Sequence, residues 1–162
     1  MSFGVADFKK LKNQVEGVFD VVISCDNSIP HLLTDKELLL TANNILSKLN
    51  SKGLFIASIR DYDDLLKEKP ISTKPNVRDF KKERTISFQI WDWEKNNTYT
   101  VNHFTVKGGK ENYNTFLRTA KYRAYKRNEI SKIFKKAGFT NIKWLMPKES
   151  EYYQPIIIAI KP

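Results

Sequence analysis

The chain has 162 residues, 41% of them hydrophobic and 28% charged, which is typical of one globular domain and excludes wholesale disorder. Its 28 Lys and Arg residues outnumber 18 Asp and Glu residues, so the formal net charge is +10. One cysteine excludes an intramolecular disulfide and favours a cytoplasmic protein, and no apolar run approaches the roughly 20 residues that cross a bilayer. We therefore expect neither a membrane partner nor a secretory leader.

Two strands are predicted near the start of the chain. Residues 1–8 show a short apolar alternation that predicts a strand. Residues 19–25 form an apolar, β-branched run, which predicts a central parallel strand covered on both faces. Asp26, Asn27 and His31 follow this run at once. Because ligands of open α/β sheets bind beyond the carboxyl ends of the strands, the second strand is predicted to lead into a site.

A helix and a further strand come next. Thr34, with Glu37 three residues later, forms a capping box that predicts the start of the helix, and Gly53 is predicted to end it. Residues 54–59 are a second buried apolar run. The order strand, helix, strand predicts a right-handed parallel crossover. Both strands should therefore end in polar residues at the same edge of the sheet, the second strand in Arg60 and its neighbours.

The middle of the chain changes from α/β alternation to β-rich sequence. Residues 65–82 are charged and contain two prolines, which predicts a loop. Residues 85–93 and 98–107 flank a turn sequence and predict an antiparallel hairpin, to which residues 119–125 add a third strand. The aromatic side chains of this insertion either close a pocket as a lid, fill the hairpin core or form a dimer surface; they are Trp91, Trp93, Tyr99 and Phe104.

The last part of the chain returns to α/β alternation. Asn128 is predicted as the N-cap of a helix that Gly138 ends, with apolar residues at helical spacing between them. Residues 139–145 and 155–161 are the last two predicted strands. Residues 156–160 are apolar on both faces, so the final strand is predicted to lie inside the sheet.

The sequence offers little for metal or nucleophile chemistry. His31, His103 and Cys25 are its only histidines and its only cysteine, and no two of them have the spacing of metal ligands, so no metal site is expected. Cys25 ends a buried strand, where we expect a packed, inert thiol rather than a catalytic one. The sequence has no glycine-rich phosphate loop, which argues against a nucleoside triphosphatase.

Much of the positive charge is concentrated between residues 107 and 136. Such a stretch can bind nucleic acid, an anionic membrane or an acidic small molecule, or it can form a solvated surface. Glu111 and Glu129 are the acidic residues that oppose it. Its basic residues are Lys107, Lys110, Arg118, Lys121, Arg123, Lys126, Arg127, Lys132, Lys135 and Lys136.

Several segments, taken in order, resemble the class I S-adenosylmethionine-dependent methyltransferases, and most closely their glycine N-methyltransferase-like branch. These segments are ADF at 6–8, CDNSIPHL at 25–32, SIRDY at 58–62, YRAY at 122–125 and KAGF at 136–139. The resemblance covers nearly the whole chain. It implies an α/β fold with a truncated Rossmann-like sheet, mostly parallel with an antiparallel last strand, and an antiparallel β-hairpin insertion. Residues 1–162 would form one methyltransferase-like domain, the C-terminal portion of the family fold, with 84–125 as a lid.

The resemblance also implies the residues that bind the cofactor, S-adenosylmethionine. Asp7 would accept a hydrogen bond from the adenine amino group, and the Phe8 amide would face the adenine ring. Cys25 and His31 would line the methionine side of the cofactor. The full set of cofactor-binding residues that we expect is Ala6, Asp7, Phe8, Ser24, Cys25, Asp26 and His31.

On the substrate side, the resemblance implies Asn27, Arg60 and Tyr62. Asn27 would reach the amino or carboxylate end of the substrate, and the Arg60 guanidinium would pair with its carboxylate. Several of these residues also have a structural alternative. Asn27 is a common turn residue, Asp7 suits a loop or a cap, and Arg60 has aspartates nearby with which it can pair. His31 equally suits a locally bonded loop.

The sequence departs from the family pattern in one respect. The family carries a Glu/Asp-x-Gly-x-Gly turn after its first strand and an acid that binds the ribose after its second, and this sequence contains neither. Residues 2–6 would correspond to the third strand of the family, so the resemblance implies a truncated or shortened chain. We therefore expect this chain to bind S-adenosylmethionine weakly or not at all.

Three functions are consistent with these observations. The first is a methyltransferase fragment that transfers a methyl group to the amine of a small amino-acid-like substrate, with no catalytic residue assigned. The second is a basic nucleic-acid-binding or RNA-modifying protein, which is disfavoured because residues 26–30 lack the Asn/Asp-Pro-Pro-Tyr pattern associated with methylating a base. The third is a non-catalytic methyltransferase remnant that acts as an interaction module, with a homodimer formed through the exposed sheet edge or the hairpin.

Overall fold

The computed structural model describes residues 3–81, 83–109 and 112–162 of the chain. The chain divides into two compact units, which we call the first unit (Met1–Asp63 with Tyr125–Pro162) and the second unit (Asp64–Ala124). Each unit holds one four-stranded sheet. Within the described residues, no helix combines the length and the apolar character needed to cross a membrane.

The helices and strands follow one another in a simple order. The first unit begins with α1 (Leu11–Gln14), β1 (Phe19–Ser24), α2 (Asp35–Ser47), β2 (Leu49–Ser58) and the start of α3 (Tyr62–Glu68). The second unit contains β3 (Asn76–Phe80), β4 (Glu83–Trp93), β5 (Thr98–Gly109) and β6 (Asn112–Arg123). The chain returns to the first unit with α4 (Arg127–Ala137), β7 (Thr140–Leu145), α5 (Pro147–Ser150) and β8 (Ile156–Ile160). Single turns of 3-10 helix lie at Phe8–Lys10, Ile29–His31 and Lys95–Asn97.

The sheet of the first unit has the strand order β1-β2-β8-β7. β1 pairs in parallel with β2, while β8 lies antiparallel between β2 and β7. Three strands thus run one way and the last strand runs the other, which confirms the predicted sheet, mostly parallel with an antiparallel last strand. β8 has a neighbour on both sides, as its apolar sequence predicts.

One face of this sheet carries the core of the first unit. Phe55 of β2 is fully buried and stacks on Phe134 of α4, with the ring centroids 5.1 Å apart. α2 contributes buried residues at helical spacing, among them Leu38 and Ile45. Gly138 ends α4 in the left-handed conformation, with φ +106°, which confirms the predicted end of this helix.

β1 lies at the edge of the sheet, so the prediction of a central strand covered on both faces is wrong. Among the described residues its one sheet neighbour is β2. Phe19, Val21 and Ile23 are 43%, 43% and 62% exposed. An apolar, β-branched run specifies a strand but not its place in the sheet, because its cover comes from elements distant in sequence.

The strand predicted over residues 1–8 is wrong for its described part, since residues 3–7 have no regular structure; Met1 and Ser2 lie outside the described residues. The Asp7 carboxylate accepts a hydrogen bond from the Lys9 amide (2.8 Å) and begins a 3-10 turn. A short polar side chain that bonds the backbone two residues later favours a turn over a strand.

The start of α2 is confirmed, but its predicted end is wrong. Thr34 Oγ1 accepts a hydrogen bond from the Glu37 amide (3.2 Å), and the Glu37 carboxylate accepts one from the Leu33 amide (2.9 Å). α2 ends and β2 begins before Gly53, which lies inside the strand. A Cβ on Gly53 would lie 2.8 Å from the Asn50 carbonyl oxygen. This close backbone approach, and not a helix end, explains the glycine.

The N-cap predicted for α4 is also wrong. The helix begins at Arg127 with Lys126 as its N-cap, so Asn128 lies inside the first turn. The Glu129 carboxylate accepts a hydrogen bond from the Lys126 amide (2.7 Å). The glutamate side chain therefore supplies a hydrogen-bond acceptor at the start of the helix, and no short polar cap residue is needed.

The sheet of the second unit has the order β3-β4-β5-β6 and is antiparallel throughout. β4 and β5 confirm the predicted hairpin, and β6 confirms a third strand that begins earlier than predicted. Asn96 and Asn97 form the turn with φ of 57° and 55°. The loop predicted over residues 65–82 is wrong where α3 and β3 lie, since such short, charged elements show no apolar period to detect.

We expect Thr34→Ala to lower the free energy of unfolding by about 1 kcal/mol, because it removes the acceptor that caps the first turn of α2. Urea denaturation followed by circular dichroism measures the change. Thr34→Ser is the matched control, since it keeps the hydroxyl group and should cost much less. An equal loss in the two variants would contradict the capping role.

Candidate functional site

Two polar loops meet at one edge of the first unit's sheet. β1 ends at Ser24 and β2 ends at Ser58, and Ser24 pairs with Ala57 in the parallel register. The carboxyl ends of the two strands therefore coincide. Residues 25–31 and residues 59–62 follow them and lie at the edge where open α/β sheets bind ligands. The structure thus confirms that both polar strand ends share one edge.

Asn27 joins the two loops. It is 4% exposed, and its amide donates a hydrogen bond to the Ser58 carbonyl (3.1 Å). Asn27 Oδ1 accepts one from the Arg60 amide (3.1 Å), and the hydroxyl of fully buried Tyr62 lies 3.0 Å from Nδ2 and 3.2 Å from Oδ1. The Asn27 side chain therefore holds both loops in place, while its contact with a substrate stays a prediction.

Asp26 is held by a side chain that the sequence does not indicate. Its amide donates to Ser58 Oγ (2.8 Å), and its Oδ1 accepts a hydrogen bond from the Tyr153 hydroxyl (2.8 Å). This hydrogen bond to a carboxylate raises the pKa of Tyr153 above its usual range, so the phenol stays protonated. The two residues lie 127 positions apart in sequence, so no sequence motif indicates that they are in contact.

Ser24 and Cys25 differ sharply in burial. Ser24 is 5% exposed, and its Oγ has no hydrogen-bond partner among the described residues. A buried hydroxyl group without a partner requires an explanation, and a polar group of a ligand would supply one. Cys25 is exposed, so the expectation of a packed thiol is wrong. The chain turns at this point, with the Cys25 carbonyl accepting a hydrogen bond from Ser28 Oγ (2.7 Å), and the thiol leaves the sheet.

His31 ends a single 3-10 turn beside this edge. Its amide donates a hydrogen bond to the Ser28 carbonyl (3.2 Å). Burial lowers the pKa of its imidazole below the ordinary value, so the ring is neutral near pH 7. The buried Tyr125 hydroxyl donates to the Leu32 carbonyl (2.8 Å) and fixes the end of the same loop. The sequence shows Tyr125 in a basic stretch and gives no sign of this contact.

Two acidic residues after Arg60, Asp61 and Asp63, pair with an arginine of α4. Arg127 Nη1 lies 2.5 Å from Asp61 Oδ1, and its Nε lies 3.3 Å from Asp63 Oδ2. The Arg127 amide also donates to Asp63 (3.1 Å). A cation other than Arg60 therefore satisfies both carboxylates. The basic composition of residues 107–136 hides this structural role of Arg127.

The residues predicted on the adenine side, 6–8, are anchored on α2. The Asn44 side chain of α2 donates a hydrogen bond to the Phe8 carbonyl (3.1 Å), and Lys9 pairs with Glu37 of α2 (3.2 Å). Ala6 and Asp7 are exposed, and the Asp7 carboxylate caps the 3-10 turn, which is its structural alternative. The structure thus gathers Ser24, Asp26, Asn27, Arg60 and Tyr62 at the sheet edge and holds residues 6–8 on another element.

The chemistry available at this edge is hydrogen bonding and charge. It offers a buried hydroxyl group on Ser24, the Asp26 carboxylate, a neutral imidazole on His31 and a guanidinium on Arg60. Within the described ranges, no three His, Cys, Asp or Glu residues lie close enough to hold a metal ion. These groups can bind and orient a polar ligand.

We expect Asn27→Ala to destabilise the first unit by about 2–4 kcal/mol, because it removes the buried hydrogen bonds that Asn27 makes with the Tyr62 hydroxyl and the Arg60 amide. Tyr62→Phe should cost about 1 kcal/mol, and the double variant should show a coupling energy of about 1–2 kcal/mol. Urea denaturation of the four proteins measures these values. Tyr153→Phe, at an exposed hydroxyl of the same edge, is the control and should change stability little. Additive losses would contradict the coupling.

Comparisons with known proteins identify similar folds. No family model matches the sequence. A glycine/sarcosine N-methyltransferase of Halorhodospira halochloris is 33% identical over 60 residues, which are 37% of this chain and 22% of that protein. Streptomyces venezuelae DesVI has a TM-score of 0.78 at 13% identity, over 97% of this chain and 64% of DesVI. CalS10 of Micromonospora echinaspora is an amino pentose methyltransferase solved with S-adenosylmethionine bound. It has a TM-score of 0.73 at 12% identity, over 97% of this chain and 63% of CalS10.

A further solved structure, an S-adenosylmethionine-dependent methyltransferase from Clostridium acetobutylicum, has a TM-score of 0.72 at 19% identity. The match covers 97% of this chain and 62% of that protein, so this chain spans less than two thirds of each of these relatives. Structural likeness at such low identity shows the fold alone. The resemblance stated from the sequence is confirmed at that level, and the chain has the fold of the class I S-adenosylmethionine-dependent methyltransferases.

Proposed function

We propose that this chain supplies the acceptor side, and part of the cofactor side, of a methyltransferase active site. The observation that carries the proposal is the pair of loops joined by Asn27 at the carboxyl edge of β1 and β2. It lies where sheets of this class bind ligands. The similar sequence of a protein named glycine/sarcosine N-methyltransferase supports a small amino-acid-like amine as the acceptor.

S-adenosylmethionine, when bound, would supply a methyl group already activated on a sulfonium. The proposed residues for its methionine side are Ser24, Cys25, Asp26 and His31. The buried Ser24 hydroxyl fits a polar group of the cofactor, and the neutral His31 ring would not repel the positive sulfur. The task left to this chain is to orient the acceptor amine and exclude water. Arg60 is proposed to pair with a carboxylate of the acceptor.

The adenine side is less complete. Phe8 is proposed to present its backbone amide to the ring, and the exposed Asp7 carboxylate to accept from the adenine amino group. One Asp7 oxygen already caps the 3-10 turn, and this sequence has no Glu/Asp-x-Gly-x-Gly turn to hold the rest of the cofactor. We therefore propose that this chain alone binds S-adenosylmethionine weakly.

The nucleic-acid alternative gains no support from the arrangement of the charges. The basic residues of 107–136 that the structure describes are divided between the two units, and among them Lys121 pairs with Glu94 and Arg127 with Asp61. The cytoplasmic location, the lid role of residues 84–125 and self-association stay predictions.

Titration with S-adenosylmethionine, followed by two-dimensional NMR, tests the proposal. We expect the amides of residues 24–31 and 59–62 to shift, with half-saturation well above micromolar concentration. Glycine added at the highest cofactor concentration should shift the Arg60 amide further, whereas glycinamide, which lacks the carboxylate, should not.

Arg60→Ala and Arg60→Lys provide the matched variants for this experiment. The response to glycine should disappear in Arg60→Ala and weaken in Arg60→Lys, since lysine lacks the planar fork that binds carboxylates. Shifts that map to other parts of the chain, or no shift at millimolar cofactor, would overturn the proposed site. Micromolar binding would overturn the proposal of weak binding.

His31 should titrate below the ordinary histidine pKa of about 6.5, because burial disfavours its charged form. The folded state then binds this proton more weakly than the unfolded state, so His31 lowers stability as the pH falls below about 6.5. NMR of the imidazole resonances measures the midpoint, with His31→Gln to assign the signal. A midpoint at or above 6.5 would contradict the effect of burial.

A further inference from the structure

One face of the second unit's sheet carries polar and basic side chains along β5 and β6. Cross-strand partners lie on the same face of a sheet, and alternate residues of a strand share a face. Three consecutive pairs on this face join the two strands: His103 with Arg118, Thr105 with Phe116, and Lys107 with Asn114. We call the face formed by these six residues the polar sheet face.

A groove of about 750 Å³ runs along the polar sheet face. Its lining includes His103, Thr105 and Lys107 of β5, and Phe116 and Arg118 of β6. All of these residues belong to the second unit. Sites for small molecules have volumes of about 300–1,000 Å³, so the groove is large enough for such a ligand.

Two cations of this groove are available to a ligand. Lys107 and Arg118 are both exposed, and neither forms an ion pair with a residue that the structure describes. Lys121 of β6 differs, because it lies on the opposite face and pairs with Glu94 (2.8 Å). The groove therefore holds positive charge that no described carboxylate neutralises.

The neighbouring strands add to this charge. Thr85 of β4 is the partner of both Lys107 and Arg78, so a third cation lies in the same row of the sheet. Glu83, two residues before Thr85, is the acidic residue of this face among the strand positions that the structure describes, and it lies in the row beyond Lys107. The groove therefore selects an anion.

The row of Thr105 is the natural position for the anionic group. Two residues of a strand span about 7 Å, so Lys107 and Arg118 lie one row away from Thr105 on opposite sides, each about 7 Å distant along the strands. Ser87 of β4 is the other partner of Thr105 and brings a second hydroxyl group. A phosphate group, with three strongly accepting oxygens, can bind both cations and a hydroxyl group at once.

Phe116 indicates what the phosphate carries. Its side chain is 55% exposed, and it is the direct partner of Thr105. The Cβ atoms of such partners lie about 4.5–5.5 Å apart, so a ring attached to a phosphate above Thr105 reaches the phenyl ring. Aromatic rings attract each other in offset or edge-to-face arrangements. The groove therefore fits a phosphate that is joined to a planar ring.

The extent of the charge favours a small ligand over a nucleic acid. The rows of Lys107 and Arg118 lie about 14 Å apart. Beyond Arg118 the next row contains the buried residues Trp91 and Val101, and beyond Lys107 it contains Glu83. Single-stranded nucleic acid needs a basic groove that follows its backbone over several nucleotides. The positive stretch of this face has the length of one small anion.

We infer that the polar sheet face binds a small aromatic phosphate, in which a phosphate group is joined to a planar ring. The phosphate lies over Thr105 between Lys107 and Arg118, and the ring lies against Phe116. This inference goes beyond the proposed methyltransferase site and does not rest on it, since all of these residues belong to the second unit.

Titration with phenyl phosphate, followed by two-dimensional NMR of the full chain, tests the inference. We expect the amides of residues 103–107 and 115–118 to shift, with half-saturation in the millimolar range or below. Inorganic phosphate should shift the same amides but bind at least about threefold more weakly, because it has no ring to contact Phe116. The amides of residues 24–31 and 59–62, which report on the proposed cofactor site, should not shift.

Three variants of β5 and β6 provide a matched comparison. Lys107→Gln and Arg118→Gln should each weaken phenyl phosphate binding about three- to tenfold, since each removes a charge-assisted contact at an exposed site. Lys121→Gln removes the same charge from β6 but on the opposite face, and it should change binding by less than about twofold. Circular dichroism melting verifies that each variant is folded.

Phe116→Leu tests the ring. It should abolish the preference for phenyl phosphate over inorganic phosphate and leave the binding of inorganic phosphate unchanged. An equal affinity of the wild-type chain for the two probes would overturn the aromatic class of the ligand.

Other outcomes would overturn the site itself. The absence of shifts at millimolar phenyl phosphate, or shifts that map outside the polar sheet face, would do so. An equal loss in Lys121→Gln and Arg118→Gln would show that the net charge of the chain attracts the anion, and would also overturn it. A single-stranded uridine oligonucleotide that binds the same face more tightly than phenyl phosphate, with a steep dependence on salt, would replace the small ligand by a nucleic acid.

Discussion

The buried amide of Asn27 is the interaction on which the candidate site depends. β1 and β2 end at the same edge because they are parallel, but parallel strands alone leave their following loops free to diverge. Asn27 links the loop after β1 to Arg60 and Tyr62 after β2 by hydrogen bonds. Because Asn27 is buried, loss of these hydrogen bonds would lower the stability of the fold. The positions of Asp26 and Arg60 relative to each other follow from this one side chain.

The sequence predicts features whose causes are local. The Thr34 cap and the Gly138 stop depend on residues within one turn, and the apolar run of β8 has the length and composition of a central strand. β1 is also mainly apolar and β-branched, yet it lies at the edge of the sheet, because the position of a strand in the sheet depends on residues far away in the chain. The contacts of Asp26 with Tyr153 and of Asp61 with Arg127 are equally distant in sequence. No periodicity or spacing rule predicts contacts between residues so far apart in sequence.

The exposed edge of β1 gives a physical reason for the weak cofactor binding that we propose. Pockets that bind small molecules bury most of the surface of the ligand. Residues 3–6 and Phe19 of β1 line an open cleft of about 430 Å³ next to the proposed adenine side. Val5 is fully exposed there, so this side of the sheet contributes little cover. An adenine bound at Asp7 and Phe8 would keep its contact with water, and the gain from burying its ring would be lost.

The balance of charge at the site matters more than the charge of the whole chain. A donor that carries a positive sulfur approaches a chain with a net charge of +10, which opposes binding at long range. At the sheet edge the electrostatic repulsion is small, because His31 is neutral and Arg127 forms ion pairs with Asp61 and Asp63. Asp26, which accepts a hydrogen bond from the Tyr153 hydroxyl, places a carboxylate at the same edge. This arrangement is compatible with the proposed binding of a cation beside Arg60 and with the proposed pairing of Arg60 with a carboxylate of the acceptor.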